Sequence, residues 1–132
     1  MTQNPSAKAE NRSFSPLQRT WETYVSAWKH TQSNEKIRLF QAALAPDCTY
    51  TDPLSQCAGW EALVLYMTDF HRQVPGGHFV TTRFIEHHRC SVATWQMCDA
   101  QGATIGDGIS YGVYDDQDKL TNMVGFFDVP GA

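Results

Sequence analysis

Several features are missing from this chain, and each absence removes a class of function. No run approaches the roughly 18 consecutive apolar residues that a membrane-spanning helix needs, and the first residues carry no apolar signal-peptide core. The expected location is therefore cytoplasmic, with no membrane partner. Basic residues are few and dispersed, 10 against 14 acidic ones for a formal charge of -4, so there is no electrostatic footprint for nucleic acid. The four cysteines, Cys48, Cys57, Cys90 and Cys98, form no Cys-x-x-Cys pair and no zinc spacing, so reduced thiols and no metal are expected. There is also no internal repeat and no Pro/Gly-rich linker.

What remains is a chain of 132 residues, 42% apolar and 12% aromatic, enough to build one core without staples. Residues 1–14 are rich in polar groups and are expected to be a disordered tail, leaving 15–132 as a single domain. Ser15-Pro16-Leu17-Gln18 combines an N-cap serine, a proline at the first helical position and a glutamine three residues after the cap. Leu17, Trp21, Tyr24, Val25 and Trp28 then follow at helical spacing to about His30. A second helix is expected from Ser33 or Asn34, burying Ile37, Phe40 and Leu44 and closed by Pro46.

Cys48 to Asp52 reads as a short strand, and the residue before Pro53 is sterically held out of the helical region. Gly59 to about Gln73 forms a third amphipathic helix through Trp60, Leu63, Val64, Met67 and Phe70. The period then changes to strand-like runs at His78 to Glu86, Ser91 to Asp99, Ala103 to Tyr114 and Leu120 to Val129, a meander with hairpin-length breaks. Helices followed by antiparallel strands predict an α+β fold, with three helices packed on a curved, mostly antiparallel sheet. A sheet wrapped in this way forms a cone with an apolar cavity, the usual place for a small-molecule site. Gly106, Gly108 and Gly112 in the third long strand fit a bend or a close approach.

The order of these elements, with Thr51-Asp52-Pro53-Leu54 at the first strand end, Gly59-Trp60-Glu61-Ala62-Leu63 opening the third helix and Gly125-Phe126-Phe127-Asp128 at the end, resembles the nuclear transport factor 2-like superfamily, in particular its SnoaL-like group. The resemblance spans about Ser15 to Val129. It implies a cone-shaped α+β barrel, a homodimer built through the sheet, and chemistry without a cofactor. The superfamily includes ketosteroid isomerases, polyketide cyclases, dehydratases, epoxide hydrolases and non-catalytic binding or dimerisation domains, so fold alone does not decide function. By resemblance, Asp52 takes the place of a catalytic base and Tyr24 that of an oxygen-binding tyrosine. Ser110 stands where a neutral carboxylic acid would complete the set, a weaker donor.

Such a site would abstract a proton beside the carbonyl of a small hydrophobic molecule, as in isomerisation, cyclisation or dehydration. Burial of Asp52 among apolar groups would raise its pKa and strengthen it as a base. Trp28, Tyr50, Met67, Phe70, His78, Ser110, Met123 and Phe127 are the expected pocket residues. His71 and His78 flank the Pro75-Gly76-Gly77 turn and could meet at the mouth, where His71 or Asp107 would be a further acid or base. Asp107, three residues from Ser110 on a strand, is expected on the opposite face. An epoxide hydrolase would need two carboxylates and an arginine; Asp52, Asp107 and Arg83 supply the types, with no spacing that unites them.

Simpler readings stand beside these. An Asp-Pro pair is commonly a turn, Tyr24 and Trp28 fit a core aromatic stripe, and a binding module needs no chemistry. In that second class of function the outer sheet face, expected to carry Trp95, Met97, Ile109, Tyr111 and Val113, would drive pairing of two copies.

Overall fold

A computed structural model describes residues 13–129, so the expected tail lies outside the described residues up to position 12. Helix α1 (Pro16–Ala27) starts as its sequence dictates: the Ser15 hydroxyl accepts from the Gln18 amide at 3.0 Å, and Pro16 fills the first turn. It ends at Ala27, earlier than the apolar stripe suggests, with Trp28 as its C-cap. Helix α2 (Ser33–Ala43) turns directly into strand β1 (Leu44–Asp52), so Pro46 does not close the helix but lies within the strand. It is tolerated because the ladder to the neighbouring strand shifts register between Leu44 and Thr49, where the missing proline N–H costs no bond.

A short strand β2 (Ser55–Ala58), not expected from the sequence, folds back on β1 with Asp52 opposite Ser55. Helix α3 (Trp60–Gln73) follows from Gly59, whose φ of 85° suits glycine. Strands β3 (His78–His87), β4 (Cys90–Cys98), β5 (Thr104–Tyr114) and β6 (Leu120–Phe126) form the expected antiparallel meander, and β6 closes onto β1 in parallel. Among the described residues the result is one mixed, open sheet in the order β2-β1-β6-β5-β4-β3, with these three helices packed on it. Among the described residues no helix is long and apolar enough to cross a membrane.

The core lies between the helices and the concave sheet face, where Phe40, Leu63, Met67, Leu120 and Met123 are fully buried. Burying each such side chain contributes roughly 1.5–3 kcal/mol. Helix α2 differs from expectation: its buried positions are Lys36, Phe40 and Ala43, with Ile37 only partly covered. Among the described residues the Lys36 ammonium has one partner, the Thr68 hydroxyl at 3.2 Å.

Register explains the glycines of β5. Trp95 lies opposite Gly108, Met97 opposite Gly106 and Ala93 opposite Ser110, so Gly106, Gly108, Ser110 and Gly112 all face the helices. A Cβ at Gly108 would lie 2.3 Å from the Trp95 ring, so this glycine lets the indole lie flat across β5. The same register corrects the expected outer face. Trp95 and Met97 point inward, while Ile109, Tyr111 and Val113 share the convex side.

Candidate functional site

A cavity of about 520 Å³ lies between α1, α3 and the concave face of the sheet, a volume within the range of small-molecule sites. Trp28 is central to its wall. Its ring lies 5.4–6.0 Å from those of Tyr50, Tyr66, Phe70 and Phe79, mostly edge to face. Phe79 continues to Trp95 at 5.2 Å and Trp95 to Phe127 at 6.2 Å, so one aromatic surface runs from helix to sheet.

Asp52 supplies the polar focus of this wall. The strand brings Tyr50 to the same face two residues earlier, and its hydroxyl donates to Asp52 Oδ2 at 2.5 Å. Tyr66, from α3, donates to the same oxygen at 2.7 Å. Asp52 Oδ1 accepts the Leu54 amide at 2.8 Å, which fixes the β1–β2 turn. The turn reading and the pocket reading of Asp-Pro are thus both satisfied, one oxygen each. Asp52 is half-buried, and three protein donors surround it in place of the expected hydrocarbon.

Tyr24 also lines the cavity but makes no hydrogen bond with Asp52; its hydroxyl accepts Trp28 Nε1 at 3.1 Å. Burial pushes the Tyr24 phenol well above the usual tyrosine range, and does the same to Tyr50 and Tyr66, the latter two aided by the Asp52 charge. All three therefore remain protonated donors at neutral pH. Ser110 lines the wall and accepts Trp95 Nε1 at 3.0 Å.

The remaining expected residues divide. Trp28, Tyr50, Phe70, Phe127 and Ser110 line the cavity, and so does Asp107, although strand alternation placed it on the opposite face from Ser110. Met67 and Met123 do not; they are 0% and 1% exposed and pack into the core beneath. His78 sits outside the lining, its Nδ1 3.2 Å from the Gly76 carbonyl. His71 is behind the wall, with Nε2 against the Trp28 carbonyl, which fixes the proton on that nitrogen and satisfies a helix-end acceptor. The two histidines thus bind different carbonyls, and neither reaches the cavity.

Tyr66 does not stand out in the sequence, although its spacing from Leu63 and Phe70 places it on the edge of the same helical face. Gly125 and Trp95 are further site residues that the sequence does not reveal, because only strand register shows which way they face. Among the described residues no Lys, Arg or His lines the cavity and no cluster of metal ligands occurs; Arg83 is exposed and outside the lining.

Residues 21–121, more than half of the chain, match the sequence pattern of the SnoaL-like domain. The chain belongs to the SnoaL-like family. Three solved structures show how far the fold of this SnoaL-like domain is shared. An isomerase candidate of the SnoaL-like family from Agrobacterium tumefaciens superposes with a TM-score of 0.80 at 22% identity, covering 88% of this chain and 100% of that one. TerC, co-crystallised with polyporic acid, gives 0.70 at 16% identity over 86% and 92%. An LEH-like epoxide hydrolase from M. tuberculosis gives 0.64 at 17% identity over 86% and 83%. At these identities the likeness shows the fold, the cone-shaped α+β architecture of the nuclear transport factor 2-like superfamily. No curated protein matches the SnoaL-like chain significantly in sequence.

Proposed function

We propose that the cavity is an acid–base site, working without a cofactor as an isomerase, cyclase or dehydratase on a small hydrophobic carbonyl compound. The observation that carries this reading is the hydrogen bonding of Asp52. A carboxylate has about four lone-pair positions, and three are occupied, two on Oδ2 and one on Oδ1. The fourth, on Oδ1, remains for a proton. Asp52 takes that proton from the carbon beside the carbonyl, the C–H electron pair moves toward the carbonyl oxygen, and the Tyr24 hydroxyl donates to the resulting enolate. Returning the proton to another carbon isomerises the compound; delivering it instead to the oxygen of a β-hydroxyl, whose C–O bond breaks as the enolate electrons form the new double bond, releases water and restores the carboxylate. The isomerase candidate and the polyporic acid complex of TerC, both of the same fold, support a small-molecule reading.

A panel of β-keto and enone compounds, followed by NMR in deuterated water, tests the proposal across the whole substrate class. Exchange or turnover that disappears in Asp52→Asn is expected. Equal rates in the variant and the parent would reject Asp52 as the base.

We further infer pairing of two copies through the convex sheet face, which is compatible with either catalysis or simple binding. Ile85, Val92, Tyr111 and Val124 lie in one register row across β3, β4, β5 and β6, with Ile109 and Phe126 in the adjacent pair. Ile85 is 50% and Phe126 56% exposed, an apolar row that favours a like surface. Sedimentation should give about twice the 14.9 kDa chain mass at micromolar concentration. A mass of one chain would sink the inference.

A further inference from the structure

Among the described residues four hydroxyl-bearing side chains line the cavity, and they fall into two pairs. Tyr50 and Tyr66 spend their protons on Asp52. Tyr24 and Ser110 do the opposite: each accepts a tryptophan N–H, from Trp28 at 3.1 Å and from Trp95 at 3.0 Å. Among the described residues neither of these two hydroxyls has an acceptor for its own proton. Both line the cavity, one from α1 and one from β5.

The chemistry of a hydroxyl gives this arrangement a consequence. A phenol proton prefers the plane of the ring and has two positions there; an N–H donor seated at one lone pair leaves the proton the other. A serine hydroxyl has three staggered positions, and the indole excludes the one that points toward it. An accepted hydrogen bond also polarises the O–H and strengthens it as a donor. Each indole therefore biases both the direction and the strength of a free donor.

Gly125 shows where the Ser110 donor is available. A Cβ at this position would lie 3.7 Å from Ser110 Oγ, 3.7 Å from the Tyr50 hydroxyl and 3.5 Å from Asp52 Cβ. The serine hydroxyl and the Asp52–Tyr50 pair thus border one gap, kept open because residue 125 has no side chain.

We propose that Trp28 and Trp95 are positioning residues, each seated on one lone pair of a cavity hydroxyl, so that Tyr24 and Ser110 together present two donors to one oxygen of the ligand. This rests on the acid–base reading of the cavity and adds to it. The preferred ligand is a ring compound whose oxygen carries negative charge, as an enolate or phenolate does, and the serine supplies the second donor through its tryptophan.

The test uses 2-naphthol, a non-reacting phenol, in an Asp52→Asn background that mimics the protonated base. Its bound pKa, read from its own spectrum, reports the donors, and naphthalene binding reports the wall alone. Ser110→Ala and Tyr24→Phe should each weaken binding of the naphtholate about tenfold while leaving naphthalene within about twofold. Trp95→Phe should weaken the naphtholate about threefold to tenfold when Ser110 is present and less than twofold in Ser110→Ala, with the same pattern for Trp28→Phe and Tyr24→Phe. Ser110→Thr, which retains the hydroxyl, should restore most of the effect and carries the comparison if a tryptophan variant does not fold. Equal losses from Trp95→Phe with and without the Ser110 hydroxyl, or an unchanged naphthol pKa in Ser110→Ala, would overturn the proposal. Because naphthol does not react, this outcome is separate from whether Asp52 is a catalytic base.

Discussion

Tyr50 and Asp52 stand two residues apart on β1, and the strand's alternation turns both inward so that the phenol donates to the carboxylate at 2.5 Å. Tyr50 is 8% exposed, while Tyr66, which donates to the same oxygen, is half-buried. Water can replace the second donor more easily than the first. Tyr50→Phe should therefore cost about 1.5–3 kcal/mol, the value of a hydrogen bond to a charged group, and Tyr66→Phe less. Urea unfolding of the two variants checks the order. An equal or reversed order would show that the pair does not share the carboxylate in this way.

Gly108 lies under Trp95, where an added Cβ would meet ring atoms at 2.3 and 2.5 Å and the Phe126 carbonyl oxygen at 2.6 Å. Neither a ring packed against Phe79 nor a sheet carbonyl can yield cheaply. Gly108→Ala is expected to destabilise the fold by about 1–3 kcal/mol and to displace Trp95 from the cavity wall. Thermal unfolding and the near-UV tryptophan spectrum read the two effects separately.

Lys36 is fully covered, although it lies near the surface, and burial lowers its pKa from the usual lysine value. With one hydroxyl partner and no carboxylate among the described residues, it gains little to offset desolvation. Lys36→Met should raise stability by about 1 kcal/mol, since Thr68 keeps its bond to the Val64 carbonyl. The folded state here binds fewer protons than the unfolded one just below pH 10.5, so this lysine makes stability rise as pH rises toward that value. Unfolding of the methionine variant should lack that contribution.

His71 gives an acid-side prediction. Burial lowers its pKa, with the charges of Lys36 and His30 adding to the effect, and among the described residues its buried Nδ1 has no partner. A depressed histidine pKa favours the neutral folded form, so its contribution is complete above pH 6.5 and is lost as pH falls below it. Stability should therefore decline from about pH 7 to about pH 5, and His71→Gln, which can still donate to the Trp28 carbonyl, should flatten the decline. A parallel loss in the variant would assign the effect to another group.

Much of the fold was legible because it is locally encoded. Ser15 and Pro16 start α1, the apolar stripe of α3 matches its buried face, and the turn residues separate four strands that pair in sequence order. The failures have local causes too. Pro46 signalled a helix stop, but a register shift in β1 absorbed it, and β2 was too short to stand out from its turn. At the site, Asp52, Tyr50 and Trp28 could be chosen from position and type. Tyr66 could not, because its partner lies on another element.

The sequence by itself determined the class of fold, the scarcity of basic residues, the absence of zinc spacing among the cysteines, and Asp52 at a strand end beside a turn, since these depend on residue type and short-range spacing. Only tertiary structure decided which groups meet. Strand register turned Trp95 inward and Ile109 outward, and the packing of α3 on β1 placed a second tyrosine on Asp52. It also set Trp28 and Trp95 against the hydroxyls of Tyr24 and Ser110. A hydrogen bond depends on distance and direction across elements, and periodicity along one element fixes neither.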